Sequence, residues 1–290
     1  MLSIIICSVN AKLLQQLSKN IAETIGIPYE LLVADNKEAN EGICKVYNRL
    51  AAQAQYSYLC FIHEDVLLHK NCWGQELIEA LAPQNVGLVG VSGATYKSKY
   101  PASWSACNKK LYRFSGIQHF KQTGQSSQAA FNPLNEKLSE VAVIDGVFMA
   151  TKKEVWYRFP FNELKLTGFH CYDIDLSMQL KLNGYKVVVL QELLLEHFSE
   201  GSLNQCWLND SLWLHKHYQN HLPIIVGVIN PKIKRSADFA ALVTVLSIML
   251  RYNGYKVLAL NYYITLVTKY FSQNRLLFSK QVAKYVIGFK

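Results

Sequence analysis

The chain has 290 residues, half of them apolar and 18% charged, so it holds enough hydrophobic material for one large domain with an appendage and is not a disordered protein. Its net charge is +9, and ten of the 30 Lys and Arg but one of the 21 acids (Asp238) fall within 232–290, so the last 59 residues carry the whole excess. Seven scattered cysteines without a C-x-x-C pair exclude a disulfide framework or a zinc ribbon; they read as reduced core residues of a cytosolic protein.

The segment 2–9 (LSIIICSV) has no basic stretch before it and no small-residue cleavage site after it, so it reads as a first strand rather than a secretory signal. Leu13, Leu14, Leu17 and Ile21 then recur at helical spacing, and Gly26 is the natural stop. YELLVAD follows as a second strand. The pattern repeats with a helix over about 43–54, a strand at 58–62, a helix over about 72–81 and a strand at 86–91. Such alternation of near-continuous apolar strands with helices predicts an α/β domain whose mostly parallel sheet is covered on both faces.

Residues 93–139 break the rhythm, being rich in Ser, Lys, Gln and Tyr without a clear period, and are expected to form an insertion or an active-site loop. VAVIDGVFMAT at 141–151 resumes strand character. A helix over about 174–182, closed by Asn183-Gly184, leads into the strand YKVVVL, and 205–221 reads as a further helix. There is no internal repeat or low-complexity tract.

Ligands of an open parallel sheet bind beyond the carboxyl ends of its strands. Acids cluster at such ends: Asp35 after YELLVA, Glu64-Asp65 after YLCFI, and Asp145 beside Gly146, where the backbone can approach a ligand closely. Each alone also fits a turn or a helix cap. A fourth cluster, FHCYDIDLSMQLKLNGYKVVV, sets Asp173 and Asp175 two apart just before a helix, where one acid is accounted for by capping and the second less readily.

These residues resemble, in order, the motifs of family 2 glycosyltransferases of the GT-A, Rossmann-like fold. SIIICSVN with VADN, the HED at 63–65 in place of the usual DxD, the DG at 145–146, and YDIDLSMQLKLNGYKV for the usual EDxDLxxRLxxxGYK span roughly 1–200. The His-acid-Asp form resembles a bacterial subgroup. Two positions depart from the pattern: His63 replaces the first acid of DxD, and Tyr172 replaces the Glu of the ED pair.

The resemblance implies a nucleotide-sugar donor, UDP-linked by default, and a Mg²⁺ or Mn²⁺ ion that neutralises charge on the departing diphosphate. Asp35 and the backbone at Val9 would line the nucleotide pocket, with Glu64 and Asp65 facing the same ligand. Asp65 and His197 (in LLLEHFSEGS) would hold the metal, and the role of His63 is left open. Asp145 and Gly146 would line the sugar site, and Asp173 would be the general base of a single displacement with inversion. Asp175 would support Asp173 or cap the helix. Trp104 and Trp156 are candidates for stacking on a sugar, with a place in the core as their alternative.

In the tail, 237–250 and 255–271 are apolar, aromatic-rich and interrupted by charge, too short to span a bilayer. With Arg275, Lys280, Lys284 and Lys290 they suit either an anionic membrane surface, consistent with a lipid-linked acceptor, or packing on the catalytic domain or on a second copy in a homodimer. Nucleic acid is disfavoured because the tail is too apolar and no recognition motif accompanies it. The domains expected are a catalytic 1–204, with a nucleotide half to about 92 and an acceptor half at about 140–204, and a helical extension 205–290. The resemblance places such an enzyme in the cytoplasm, peripheral to the inner face of the plasma membrane where the tail engages it. Two other classes remain open: a non-catalytic sugar-nucleotide or glycan-binding relative, suggested by the acids missing at His63 and Tyr172, and a nucleotidyltransferase, against which stands the lack of a glycine-rich basic loop between residues 7 and 20.

Overall fold

The computed structural model describes residues 1–120, 124–270 and 279–287. The first third follows the predicted alternation: β1 (Leu2–Ser8), α1 (Ala11–Thr24), β2 (Tyr29–Asp35), α2 (Ile43–Gln53), β3 (Tyr58–Ile62), a short added strand β4 (Val66–Leu68), α3 (Trp73–Leu81) and β5 (Val86–Gly90). Asn10 starts α1 by accepting from the Lys12 and Leu13 amides, and Gly26 ends it at a φ of +72°, a conformation open to glycine.

The segment 93–139, expected to form an insertion or an active-site loop, contributes several strands: β6 (Ser92–Ala94), β7 (Tyr96–Lys97), β8 (Tyr112–Phe120) and β9 (Gln125–Phe131). Periodicity misses it because β8 and β9 form a polar hairpin whose second strand is mostly exposed, so cross-strand pairing rather than burial defines it. Then come β10 (Leu138–Val141), β11 (Val143–Ile144) and β12 (Phe148–Lys152). The expected continuous strand over 141–151 is therefore broken, because the Asp145 carboxylate accepts from the Val147 amide and closes a turn there. The remainder is α4 (Lys153–Arg158), α5 (Tyr172–Leu182), β13 (Lys186–Leu190), β14 (Leu195–His197), α6 (Gln205–His217), β15 (Ile224–Ile225), α7 (Pro231–Met249), α8 (Lys256–Lys269) and α9 (Ser279–Ile287).

The central sheet has the order β10-β13-β5-β12-β3-β1-β2. It is mixed rather than mostly parallel: β1 pairs in parallel with β2 and β3, as β13 does with β5, but β12 runs antiparallel between β3 and β5, and β10 antiparallel to β13. Alternation along β1 divides the core, Ile4 and Ile6 joining Leu17, Ile21, Trp73 and Leu77 of α1 and α3 on one face. Ile5 joins Tyr47 of α2, Met178 of α5 and Leu208 of α6 on the other. Each such buried aliphatic side chain contributes about 1.5–3 kcal/mol. A second sheet, β11-β6-β8-β14-β4 with β9 beside β8, lies beyond the carboxyl ends of β3 and β5.

α7 packs into the core through Ala241, Leu242, Val245 and Leu246. Its buried Asp238 accepts from the Tyr96 and Ser98 hydroxyls, both at 2.6 Å, so the only acid of the tail is spent on docking it. α8 buries Ala259 and Leu266 but leaves Val257, Leu260 and Ile264 exposed. No helix among the described residues is long and apolar enough to cross a membrane. Arg275 and Lys290, and the side chains of Lys280 and Lys284, lie outside the described residues.

Candidate active site

The carboxyl end of β3 delivers HED, and a bend at Glu64 and Asp65, before β4 begins, sends their side chains to different partners. Glu64 points back to β1: its carboxylate accepts from the Ser8 hydroxyl at 2.6 Å and from the amides of Val9 and Asn10 at about 3.1 Å. It is 9% exposed and fastens the turn between β1 and α1, so it does not join the ligand-facing group expected of it. The Val9 amide is spent on the same bond, while the Val9 side chain stays exposed. Asp35 lies at the same end of the sheet, paired in register with Ser8. It is exposed and accepts from the Lys37 amide at 3.1 Å, forming an Asx turn.

His63 and Asp65 face the other way. β4 pairs with β14 so that His197 stands opposite Val66, which brings His197 Nε2 to 3.6 Å from Asp65 Oδ1. One ligand atom from each of His63, Asp65 and His197 lies within 4.8 Å of the other two. The residues expected to hold a metal are thus brought together, and His63 joins them. Burial alone would raise the Asp65 carboxyl, but the neighbouring His197 and Ser199 outweigh it and hold the group below the usual carboxylate range. Burial lowers the affinity of His63 for a proton, and His197 lowers it further. An anionic carboxylate with neutral imidazole suits a divalent cation that accepts mixed oxygen and nitrogen donors, as Mn²⁺ does.

α5 approaches from the opposite side. Cys171, with φ +62°, turns the chain into it, and Tyr172 and Asp173 occupy its first turn rather than preceding it. The Tyr172 hydroxyl lies 2.7 Å from His63 Nε2, and the ring packs edge-on against Tyr47. Gly146 makes room for it: a Cβ there would stand 2.3 Å from that hydroxyl. The Gly146 amide donates to Asp173 Oδ2 at 3.0 Å and the Ile174 amide to Oδ1 at 2.8 Å. Burial, then the charge of Asp145, pushes Asp173 up to about 7 against the pull of these two amides. A carboxyl poised near neutrality, on the helix whose Tyr172 touches a group that could hold a cation, has the character of a general base.

Asp145 itself accepts from Trp104 Nε1 at 2.6 Å and from the Val147 amide, so the indole edge is engaged and Trp104 lies at the site. Trp156 does not: it is 7% exposed and donates to Asn48 in the core. Asp175 neither caps the helix nor touches Asp173. It is 1% exposed and accepts from Tyr218 at 2.8 Å and Gln179 at 2.7 Å, tying α5 to the end of α6. Sequence reasoning missed Gln118, which contacts His197 from within the segment read as a loop. A cavity of about 850 Å³, lined by Tyr58, Lys152 and Arg158 among others, opens at the opposite end of β3 from these acids.

A sequence model of the family described as "Glycosyltransferase like family" matches residues 3–221. No curated protein matches the chain. Among solved structures, GalNAc-T7 with UDP, GalNAc and Mn²⁺ aligns at a TM-score of 0.48 with 8% identity over 70% of this chain; the chain spans 44% of that protein's length. A mannosyltransferase, PcManGT from Pyrobaculum calidifontis in complex with GDP-Man and Mn²⁺, aligns at 0.49 with 14% identity over 99% of this chain and 84% of the other. A197 from STIV aligns at 0.39 with 15% identity over 79% and 97%.

Proposed function

We propose that the chain, which belongs to the glycosyltransferase-like family, has a GT-A type of α/β fold and is an inverting hexosyltransferase using a nucleotide-sugar donor and a divalent cation. The acceptor in this reading is a hydroxyl of a cell-surface glycan or glycolipid precursor. The observation that carries it is the convergence of a cation-competent group, His63, Asp65 and His197, with a carboxyl raised to about 7, Asp173, whose chain neighbour Tyr172 touches that group.

Asp65 and His197 would hold Mg²⁺ or Mn²⁺, which when bound supplies charge compensation for the departing diphosphate. Asp35 and the chain at Val9, side by side at the open end of β1 and β2, would receive the nucleotide. Asp145 and Gly146 line the sugar side, Asp145 being held by Trp104 and Gly146 orienting Asp173 through its amide. Asp173 takes the proton from the attacking hydroxyl, and its raised affinity for that proton favours the transfer. The catalytic unit would be 1–204, with 205–290 as the helical extension, and the exposed Val257, Leu260 and Ile264 of α8, with Lys256 at its start, would rest on an anionic bilayer at the cytoplasmic side.

Calorimetry of UDP, GDP and CMP binding with Mn²⁺ and then with EDTA tests the reading. Cation-dependent binding of one nucleotide is expected, and binding of none under either condition would sink it.

A further inference from the structure

His63 has one ring nitrogen set against a protein partner, and His197 has both, its Nε2 lying 3.4 Å from the Ser199 hydroxyl, which can donate to it. His197 Nδ1 lies 3.3 Å from Gln118 Oε1. The orientation of that amide is settled by its other end, whose nitrogen donates to the carbonyls of Ser199 at 2.6 Å, His119 at 2.9 Å and His197 at 3.5 Å. Turning the amide over would set an oxygen against three carbonyl oxygens. Oε1 therefore accepts from Nδ1–H, and His197 Nε2, the nitrogen facing Asp65, carries a lone pair.

His63 is turned the other way. Its Nε2 is 2.7 Å from the Tyr172 hydroxyl, and Tyr172 is 4% exposed with His63 as its one hydrogen-bond partner among the described residues. A buried phenol needs an acceptor for its proton, so the hydroxyl donates to Nε2 and the proton of His63 sits on Nδ1. That N–H has no protein acceptor among the described residues.

We propose that Gln118 and Tyr172 are positioning residues that hold His197 and His63 in the same Nδ1–H tautomer but present opposite edges to the ligand. His197 offers a lone pair to the divalent cation, and His63 offers an N–H to the anionic diphosphate that accompanies it. His63 is thus a hydrogen-bond donor and not a third metal ligand. The assignment rests on the donor-site reading above and adds a division of labour within it.

The tautomers are readable without any ligand. Long-range proton–nitrogen spectra of the apo protein labelled with ¹⁵N-histidine should show Nδ1–H at both residues, against the Nε2–H form that histidine favours in free solution. An Nε2–H form at either would overturn the assignment. Gln118→Leu should weaken Mn²⁺ binding about tenfold to a hundredfold. Tyr172→Phe should leave Mn²⁺ binding within about twofold and weaken UDP or GDP binding in the presence of Mn²⁺ about tenfold, by releasing the His63 ring. His63→Ala and His197→Ala separate the two roles: equal losses of Mn²⁺ affinity without nucleotide would make His63 a ligand and refute the proposal. If the unaltered protein binds no nucleotide with any cation, the donor-site reading falls and takes the diphosphate partner of His63 with it, while the spectra still decide the tautomers.

Discussion

His63 and Tyr172, 109 residues apart in the chain, meet with Nε2 and hydroxyl 2.7 Å apart. They are the two positions where this chain departs from the acidic motifs it otherwise resembles. The departures are therefore one local change: a pair of anionic positions has become a neutral hydrogen-bonded pair, and Gly146 provides the space that the tyrosine needs. Asp65 and Asp173, one on each side of the pair, are retained.

Asp173→Asn should abolish sugar transfer, by about 10²–10⁴-fold, while cation-dependent nucleotide binding stays near that of the unaltered protein. Asn keeps an acceptor for one backbone amide but cannot take a proton. Steady-state transfer assays beside calorimetry check this, and full activity in the variant would remove Asp173 as the base.

The raised Asp173 predicts a pH dependence of defined sign. The base works only when deprotonated, so kcat/KM should fall as pH drops below about 7 and level off above it. Burial is the larger cause of the shift and the Asp145 charge the second, so Asp145→Asn should move the limb to lower pH. A pH–rate profile flat from 5 to 8 would count against the assignment.

Asp65→Ala should remove the cation dependence of nucleotide affinity. Its carboxylate is held anionic by His197 and Ser199, so no proton has to leave before a cation binds near neutral pH. Titration of nucleotide with Mn²⁺ and with EDTA should give the same weak affinity in the variant; a retained difference would place the cation elsewhere.

Asp238→Ala leaves the buried Tyr96 and Ser98 hydroxyls without their acceptor and should cost about 1–3 kcal/mol. The readout is chemical denaturation. A variant as stable as the parent would mean that α7 docks through its apolar face alone.

Anionic vesicles should bind the intact protein, and Val257→Glu with Ile264→Glu should release it, because both side chains are exposed on α8. Cosedimentation at low and high salt measures this. If the intact protein never sediments with the vesicles, the membrane role of the tail is excluded and that face of α8 serves something else.

Much of the catalytic half was legible from residue order. The helices and strands of the first 90 residues follow from apolar spacing, since burial on both faces of a sheet leaves continuous apolar runs and burial on one face of a helix leaves Leu17 and Ile21 a turn apart. Asp65, Asp145 and Asp173 stand out against that background as acids at strand and helix ends, whereas His197 was reached only through the resemblance. The β8–β9 hairpin was not legible: its exposed polar residues carry no burial pattern, and with it went Gln118. The antiparallel β12 was hidden for another reason, since an apolar strand does not record its direction.

What residue order could not decide is which way a side chain is spent. Glu64 and Asp65 are adjacent carboxylates, yet one is consumed by the Ser8 hydroxyl and two amides and the other faces His197. Asp173 and Asp175 are two apart on one helix, yet one is poised near neutrality in the site and the other bonds Tyr218 in the core. The sequence by itself determined the elements, the acids available at their ends and the concentration of charge in the tail, because these depend on spacing along one chain. Only the tertiary structure decided which acid stands among histidines, which meets an amide and which histidine nitrogen meets Gln118 or Tyr172, because those depend on partners delivered by strands and helices remote in sequence.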